Sequence, residues 1–344
     1  MPGGYITYAN WTFGYSINTM QGTGLRLAHA HYHGRPVLFR GEPAFTLVNY
    51  GSPDTAVKHG LGARGGGSPL VPLTPVAPNA AAADLPPAAI ATNDSLYDAV
   101  ANPGGAVQVD RYEPTGVESA RVVFWAKFQA GDYQYVHRWE LSEDGVIAGS
   151  VGVGGRPAGD AVAGLPSTHS HYFRLDPDVA TLGDNVVQVG SRSPASTPVE
   201  WRDVEHGAQT LEPTAAIRVA SATAKASGAL RSYELIPGSD VGPDGRTSSA
   251  DFWVVPYKGN LDDGYEVGTD DSVLTSSYAA AGGGSVGEQN DIAVWYALRH
   301  QIQPRTSGEE HRLLPYSFTG FRLEPREFLD DTPVRLYRTV PPSP

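Results

Sequence analysis

The chain has 344 residues, of which 40 are glycine, 28 are proline and none is cysteine. Disulfides and thiolate metal sites are therefore excluded, and so much glycine and proline points to many strands joined by turns rather than to long helices. The net charge is −12, from 37 acidic against 25 basic residues with no Lys/Arg cluster, which excludes nucleic acid as an expected partner. The opening MPGGYITYANW lacks the basic and apolar regions of a signal peptide, and no apolar run reaches the length of a membrane span. Together with the absence of cysteine, this predicts a cytoplasmic protein without a membrane partner.

The block 5–50 reads as paired strands. Residues 24–34 and 36–40 alternate in polarity and are separated by a Gly34-Arg35 turn. Within it His29, His31 and His33 alternate, a spacing that places three imidazoles on one strand face and suits a transition metal. Such runs are also common on solvated edge strands. From 60 to 87 the composition shifts to Gly, Pro and Ala, which predicts a long surface loop or lid. A meander follows over 122–128, 133–141 and 146–153, with Glu143-Asp144-Gly145 turning its last pair. Strands are expected within 173–189, at 216–222, 232–236 and 252–257. A Gly-rich loop at 279–287 precedes a strand at 291–299 and a Pro-punctuated tail. The pairs Asp262-Asp263 and Asp270-Asp271 read as turn residues or surface charge. The expected fold is all-β, a large antiparallel β sandwich spanning 1–344 as one domain.

Several segments, in order, resemble the catalytic domain of copper amine oxidases. Trp11-Thr12-Phe13, Gly24-Leu25-Arg26-Leu27 and Val37-Leu38-Phe39-Arg40 resemble its opening hairpin, and Val48-Asn49-Tyr50-Gly51-Ser52-Pro53 its V-P-Y-G-D-P stretch. Gly131-Asp132-Tyr133-Gln134-Tyr135-Val136, with Trp139, resembles G-N-Y-D-Y-V…W, and His169-Ser170-His171-Tyr172-Phe173-Arg174-Leu175-Asp176 the H-x-H strand running into R-L-D. Phe252-Trp253-Val254-Val255-Pro256-Tyr257 is similar to a W-V-T-x-Y strand. The segments 291–305 and 321–333 resemble D-V-V-W…H-x-P-R and F-x-L-x-P-x-x-F-F-D-x-x-P. The family's smaller N-terminal domains have no counterpart in this sequence.

The resemblance implies a copper ion held by three imidazoles, a topaquinone made from Tyr133, and an aspartate base that removes the α-proton of a primary amine. This sequence departs from that pattern at each part. Beside Tyr133, Asp132 replaces Asn and Gln134 replaces Asp or Glu, which sets the quinone reading against an ordinary strand tyrosine. The base motif D-x-G-E-x-x-G has no counterpart. Lys58-His59-Gly60 stands in its place, and Asp54 and His59 are the nearest titratable groups. Counting back from Arg174-Leu175-Asp176 and from Pro304-Arg305 puts the three ligand positions at Ser167, His169 and Ile302. His171 and His300 each lie two residues from an expected position, and a two-residue shift keeps a side chain on its strand face. If the two strands are antiparallel neighbours, His169, His171 and His300 form a displaced three-imidazole site; otherwise the site has decayed.

The sequence leaves three readings open. The first is an enzyme on the amine oxidase framework that acts on a small organic molecule with altered or lost copper and topaquinone chemistry, as suits specialised metabolism. The second is a copper- and topaquinone-dependent oxidase of primary amines with a displaced metal site. The third is a non-catalytic binding protein. In the enzyme readings a pocket surrounds Tyr133, roofed by residues 57–75, with Tyr133, Asp132 and His169 as its proton shuttle and His59 as a candidate base. The resemblance also implies a homodimer.

Overall fold

A computed structural model of the chain describes residues 3–17, 24–50, 57–61, 71–73, 107–115, 118–130, 133–155, 166–191, 200–212, 215–238, 250–257, 274, 291–302 and 314–330. Among them two antiparallel sheets lie face to face. The first contains β1 (Gly3–Tyr8), β2 (Trp11–Ile17), β3 (Leu25–Tyr32), β4 (Arg35–Tyr50), β11 (Ser167–Pro177), β18 (Ile292–Ile302), β17 (Phe252–Pro256) and β14 (Gly207–Gln209) in that spatial order, with β5 (Val57–Leu61) paired to β4. The second runs β13 (Trp201–Asp203), β12 (Asn185–Ser191), β15 (Ala215–Ala224), β16 (Leu230–Ile236), β19 (Leu314–Arg326), β10 (Ile147–Gly155), β9 (Tyr133–Ser142), β8 (Arg121–Ala130) and β6 (Val71–Leu73), with β7 (Val107–Tyr112) also paired to β8. This is the large β sandwich expected from the sequence.

The period-2 alternation of the strands builds the layer between the sheets. Phe173, Leu175, Val294, Tyr296 and Leu298 of the first sheet pack there with Tyr135, Trp139, Val151 and Phe321 of the second. Tyr172, Ala293, Trp295 and Ala297, one residue out of phase, form a separate cluster on the far face of the first sheet with Phe45 and Trp253. Odd residues of β11 and even residues of β18 therefore point at the second sheet. Trp139 and His137 of β9 grip the backbone of Leu25 across the layer: the indole Nε1–H donates to Leu25 O at 3.0 Å, and His137 Nδ1 accepts from Leu25 N–H at 3.3 Å. Gly24 makes room for this, since a β-carbon there would lie 1.7 Å from His137 Nδ1.

Several local expectations need correction. The turn between β3 and β4 is His33-Gly34, both at positive φ (50° and 73°), as a two-residue hairpin between right-twisted strands requires. The run of three histidines is not a regular ladder. Thr12 pairs His31 while Gly14 pairs Ala28, so β3 carries one extra residue at a bulge, where His29 takes a φ of 49°. The tail is not all irregular either: β19 is a central strand of 13 residues whose two prolines, Pro315 and Pro325, sit next to its ends. Segment 60–87 is not wholly loop, because Val71–Leu73 pairs with β8 and β5 ends at Leu61. The Gly-rich loop 279–287 and the acidic pairs at 262–263 and 270–271 lie outside the described residues.

Candidate functional site

Among the described residues, a cluster of imidazoles and phenols interrupts the apolar layer between the sheets. Strands β11 and β18 are antiparallel neighbours, with Ser167 opposite Ile302 and His169 opposite His300. His169, His171 and His300 thus share the inner face, each 0% exposed. From the second sheet β9 contributes Tyr133, Tyr135 and His137 by strict alternation, all buried. The Tyr133 ring meets His169 edge-on with centres 4.8 Å apart, while the Tyr135 ring lies 5.9 Å from His169 and 6.0 Å from His171.

Hydroxyl groups hold the imidazoles. Tyr135 Oη is 3.0 Å from His169 Nδ1, and Ser167 Oγ is 3.2 Å from its Nε2. Thr46 Oγ1 of β4, directly opposite His171 in register, is 2.9 Å from His171 Nδ1. Ser317 Oγ of β19 is 2.8 Å from His300 Nε2. His171 Nε2 is buried and has no hydrogen-bond partner among the described residues.

The electrostatics follow from burial. Loss of water drives the titration of His137 and His169 down to about 3, with nearby His300 adding to the effect on His169. The same desolvation, followed by His169, His300 and His137, holds His171 well below the ordinary histidine range. All three are neutral at pH 7 and so present lone pairs rather than positive charge.

These donors fit a transition metal in chemistry, because neutral imidazoles suit copper or zinc and one ring nitrogen is left over. Their present spacing is wide. Centres of His169 and His171 are 6.2 Å apart and those of His171 and His300 6.5 Å. An ion about 2.0–2.1 Å from each ring nitrogen limits two ring centres to about 6.4 Å. As placed, no three His, Asp or Glu side chains among the described residues are grouped to share an ion. Ligation requires these rings to turn towards one another and release some of their hydroxyl partners.

The remaining sequence candidates are scattered. Asp132 lies outside the described residues. His59 lies on β5 opposite Val48, in a strand rather than a loop. Of the roof expected over 57–75, Val57–Leu61 and Val71–Leu73 are strands paired to β4 and β8. His29 and His33 are exposed, and His31 Nδ1 lies 2.9 Å from His29 O. Sequence reasoning missed Thr46, Tyr135, His137 and Ser317. The alternation Tyr133, Tyr135, His137, Trp139 carries a signal for the β9 pair; the two hydroxyls come from strands distant in sequence.

On the far face of the first sheet a buried charged network supports β11. Burial opposes ionisation of Glu42, but Arg26, Arg40 and Arg174 outweigh it and hold the carboxyl below its usual range. Arg26 Nε lies 2.7 Å from Glu42. Asp176 goes the other way: burial first, then Asp291 and Asp178, raise it to about 8 against Arg174 and Arg40.

No protein-family description matches the sequence, and no curated protein matches it. Among solved structures the chain is similar to a copper-containing benzylamine oxidase from Hansenula polymorpha, with 16% identity, a TM-score of 0.65, and 95% of this chain and 60% of that chain covered. It is also similar to an Aspergillus nidulans amine oxidase (17%, TM-score 0.61, 95% and 52%) and to the Pichia pastoris lysyl oxidase PPLO (16%, TM-score 0.62, 95% and 52%). The fold is amine oxidase-like. At this identity the likeness concerns the fold alone, and the chain spans 52 to 60% of the length of these three structures.

Proposed function

We propose that the chain is an enzyme acting on a small organic molecule at the inter-sheet cluster, with a transition metal, copper by its fold relatives, held by His169, His171 and His300. The observation that carries this reading is the register of β11 and β18. Ser167 faces Ile302 and His169 faces His300, so replacing the first pair by the second, and adding His171, is one coherent step of two residues along both strands. That step is about 7 Å. A decaying site has no reason to lose and gain imidazoles in register; a site that has moved does.

A bound metal would supply Lewis acidity and, if it is copper, one-electron redox chemistry. The chain's own residues bring the rest. The apolar sandwich keeps water out, the neutral imidazoles present lone pairs, and the Tyr135–His169 contact provides a path for a proton within 3.0 Å. In this reading Tyr133, at the first position of β9 and against His169, is the residue that meets the substrate. The quinone chemistry is altered, because the base motif is missing and the residues flanking Tyr133 differ. A homodimer and a cytoplasmic location belong to the same proposal, on the resemblance and the cysteine-free composition.

A second reading has its own observation. Every imidazole of the proposed set already has a hydroxyl partner, as in a metal-free polar core of a binding protein. Elemental analysis with a visible absorption scan separates the two. The enzyme reading expects near one equivalent of copper or zinc per chain in wild type, its loss in His300→Ala and its retention in His31→Ala. It also expects no broad quinone band and no added oxygen on the peptide carrying Tyr133. Wild-type protein that stays metal-free after incubation with either ion supports the binding-protein reading instead.

A further inference from the structure

A neutral imidazole carries one N–H and one bare lone pair, and its neighbours decide which nitrogen has which. His171 is fully buried, and Thr46 Oγ1 engages its Nδ1 at 2.9 Å while its Nε2 has no partner among the described residues. If the threonine donated its proton to Nδ1, the ring would bury an N–H at Nε2 with no acceptor. If instead Nδ1–H donates to Oγ1, the orphan is a lone pair. Orphaned buried donors are the rarer outcome, so the second arrangement is favoured. An unsatisfied buried nitrogen of either kind is destabilising unless something fills the place beside it. The rings around His171 are Tyr135 at 6.0 Å, His169 at 6.2 Å and His300 at 6.5 Å.

Cross-strand register fixes the contact. Thr46 stands opposite His171 on β4, and both are clamped in the middle of a sheet, with Phe45 and Leu47 on either side of Thr46 pointing into the core on the far face. The register therefore keeps the Thr46 and His171 side chains neighbours on one face of the sheet.

We propose that Thr46 is a positioning residue that holds His171 as the Nδ1–H tautomer and thereby presents its bare Nε2 to a divalent transition-metal ion. This rests on the metal reading given above, yet its first half can be measured without any metal. In metal-free protein labelled with 15N at histidine, the His171 resonances should show a protonated Nδ1 and an unprotonated Nε2 at pH 7, in wild type and in Thr46→Ser. In Thr46→Val, which keeps the shape and removes the hydroxyl, the tautomers should mix. Zinc affinity, measured by competition with a chromophoric chelator, should fall 10- to 100-fold in Thr46→Val, recover in Thr46→Ser and vanish in His171→Ala.

A protonated Nε2 in the wild type overturns the proposal, and does so even if Thr46→Val fails to fold. Zinc uptake that disappears in His171→Ala but is unchanged in Thr46→Val rejects the role of Thr46 while leaving the metal reading intact. Wild-type protein that binds no zinc rejects the metal reading and this proposal with it.

Discussion

His137 and His169 both titrate near 3 inside the sandwich, against about 6.5 in an unfolded chain. A depressed folded-state titration means the stabilising contribution is present above about pH 6.5 and is lost as pH falls towards 3. Each group then costs about 1.4 kcal/mol per pH unit on the acid side. Asp176 acts in the opposite sense. Its folded carboxyl titrates at about 8, above the unfolded 3.8, so its contribution is greatest in acid and is lost as pH rises through 8. The two trends cross, and urea unfolding should show maximal stability near pH 6.5 with a decline on both sides. Asp176→Asn should flatten the alkaline flank and steepen the acid one, because the contribution of Asp176 falls over the whole range from 3.8 to about 8. Stability that keeps rising from pH 6.5 down to pH 5 would show that these histidines are not buried as described.

At the scale of the strands, the pairing of β3 with β9 across the layer depends on absence of bulk at one position. Gly24 stands where any β-carbon would lie 1.7 Å from the His137 ring, which also accepts the N–H of Leu25. Gly24→Ala should lower stability by about 1–3 kcal/mol by forcing the ring or the strand aside. A variant as stable as wild type would mean that this end of β3 is free to move. The strand order of the meander β8–β9–β10 was legible in the sequence, since clean alternation and the Asp144-Gly145 turn are local signals. Strand β19 was not, because Pro315 and Pro325 near its ends read as tail punctuation although its interior holds no proline. That His169, His171 and His300 share one strand face was legible too. Their hydroxyl partners were not: Thr46 and Ser317 reach the cluster through cross-strand register and sheet packing, which no local window of sequence contains.

For the whole molecule, the ordered series of weak motifs carried the fold, because each marks a strand of the same sandwich and their order constrains the topology. The site is less legible for a physical reason. The proposed two-residue shift would conserve strand face and apolar pattern, and so would leave the fold signal untouched while moving every ligand by about 7 Å. The account therefore stands on where a metal sits. Crystals grown from protein loaded with copper or zinc, with diffraction recorded on either side of the metal's absorption edge, test this most directly. The predicted result is one anomalous peak within bonding distance of His169, His171 and His300, in the layer facing Tyr135. A peak at His29, His31 and His33, or no peak from fully loaded protein, would contradict it.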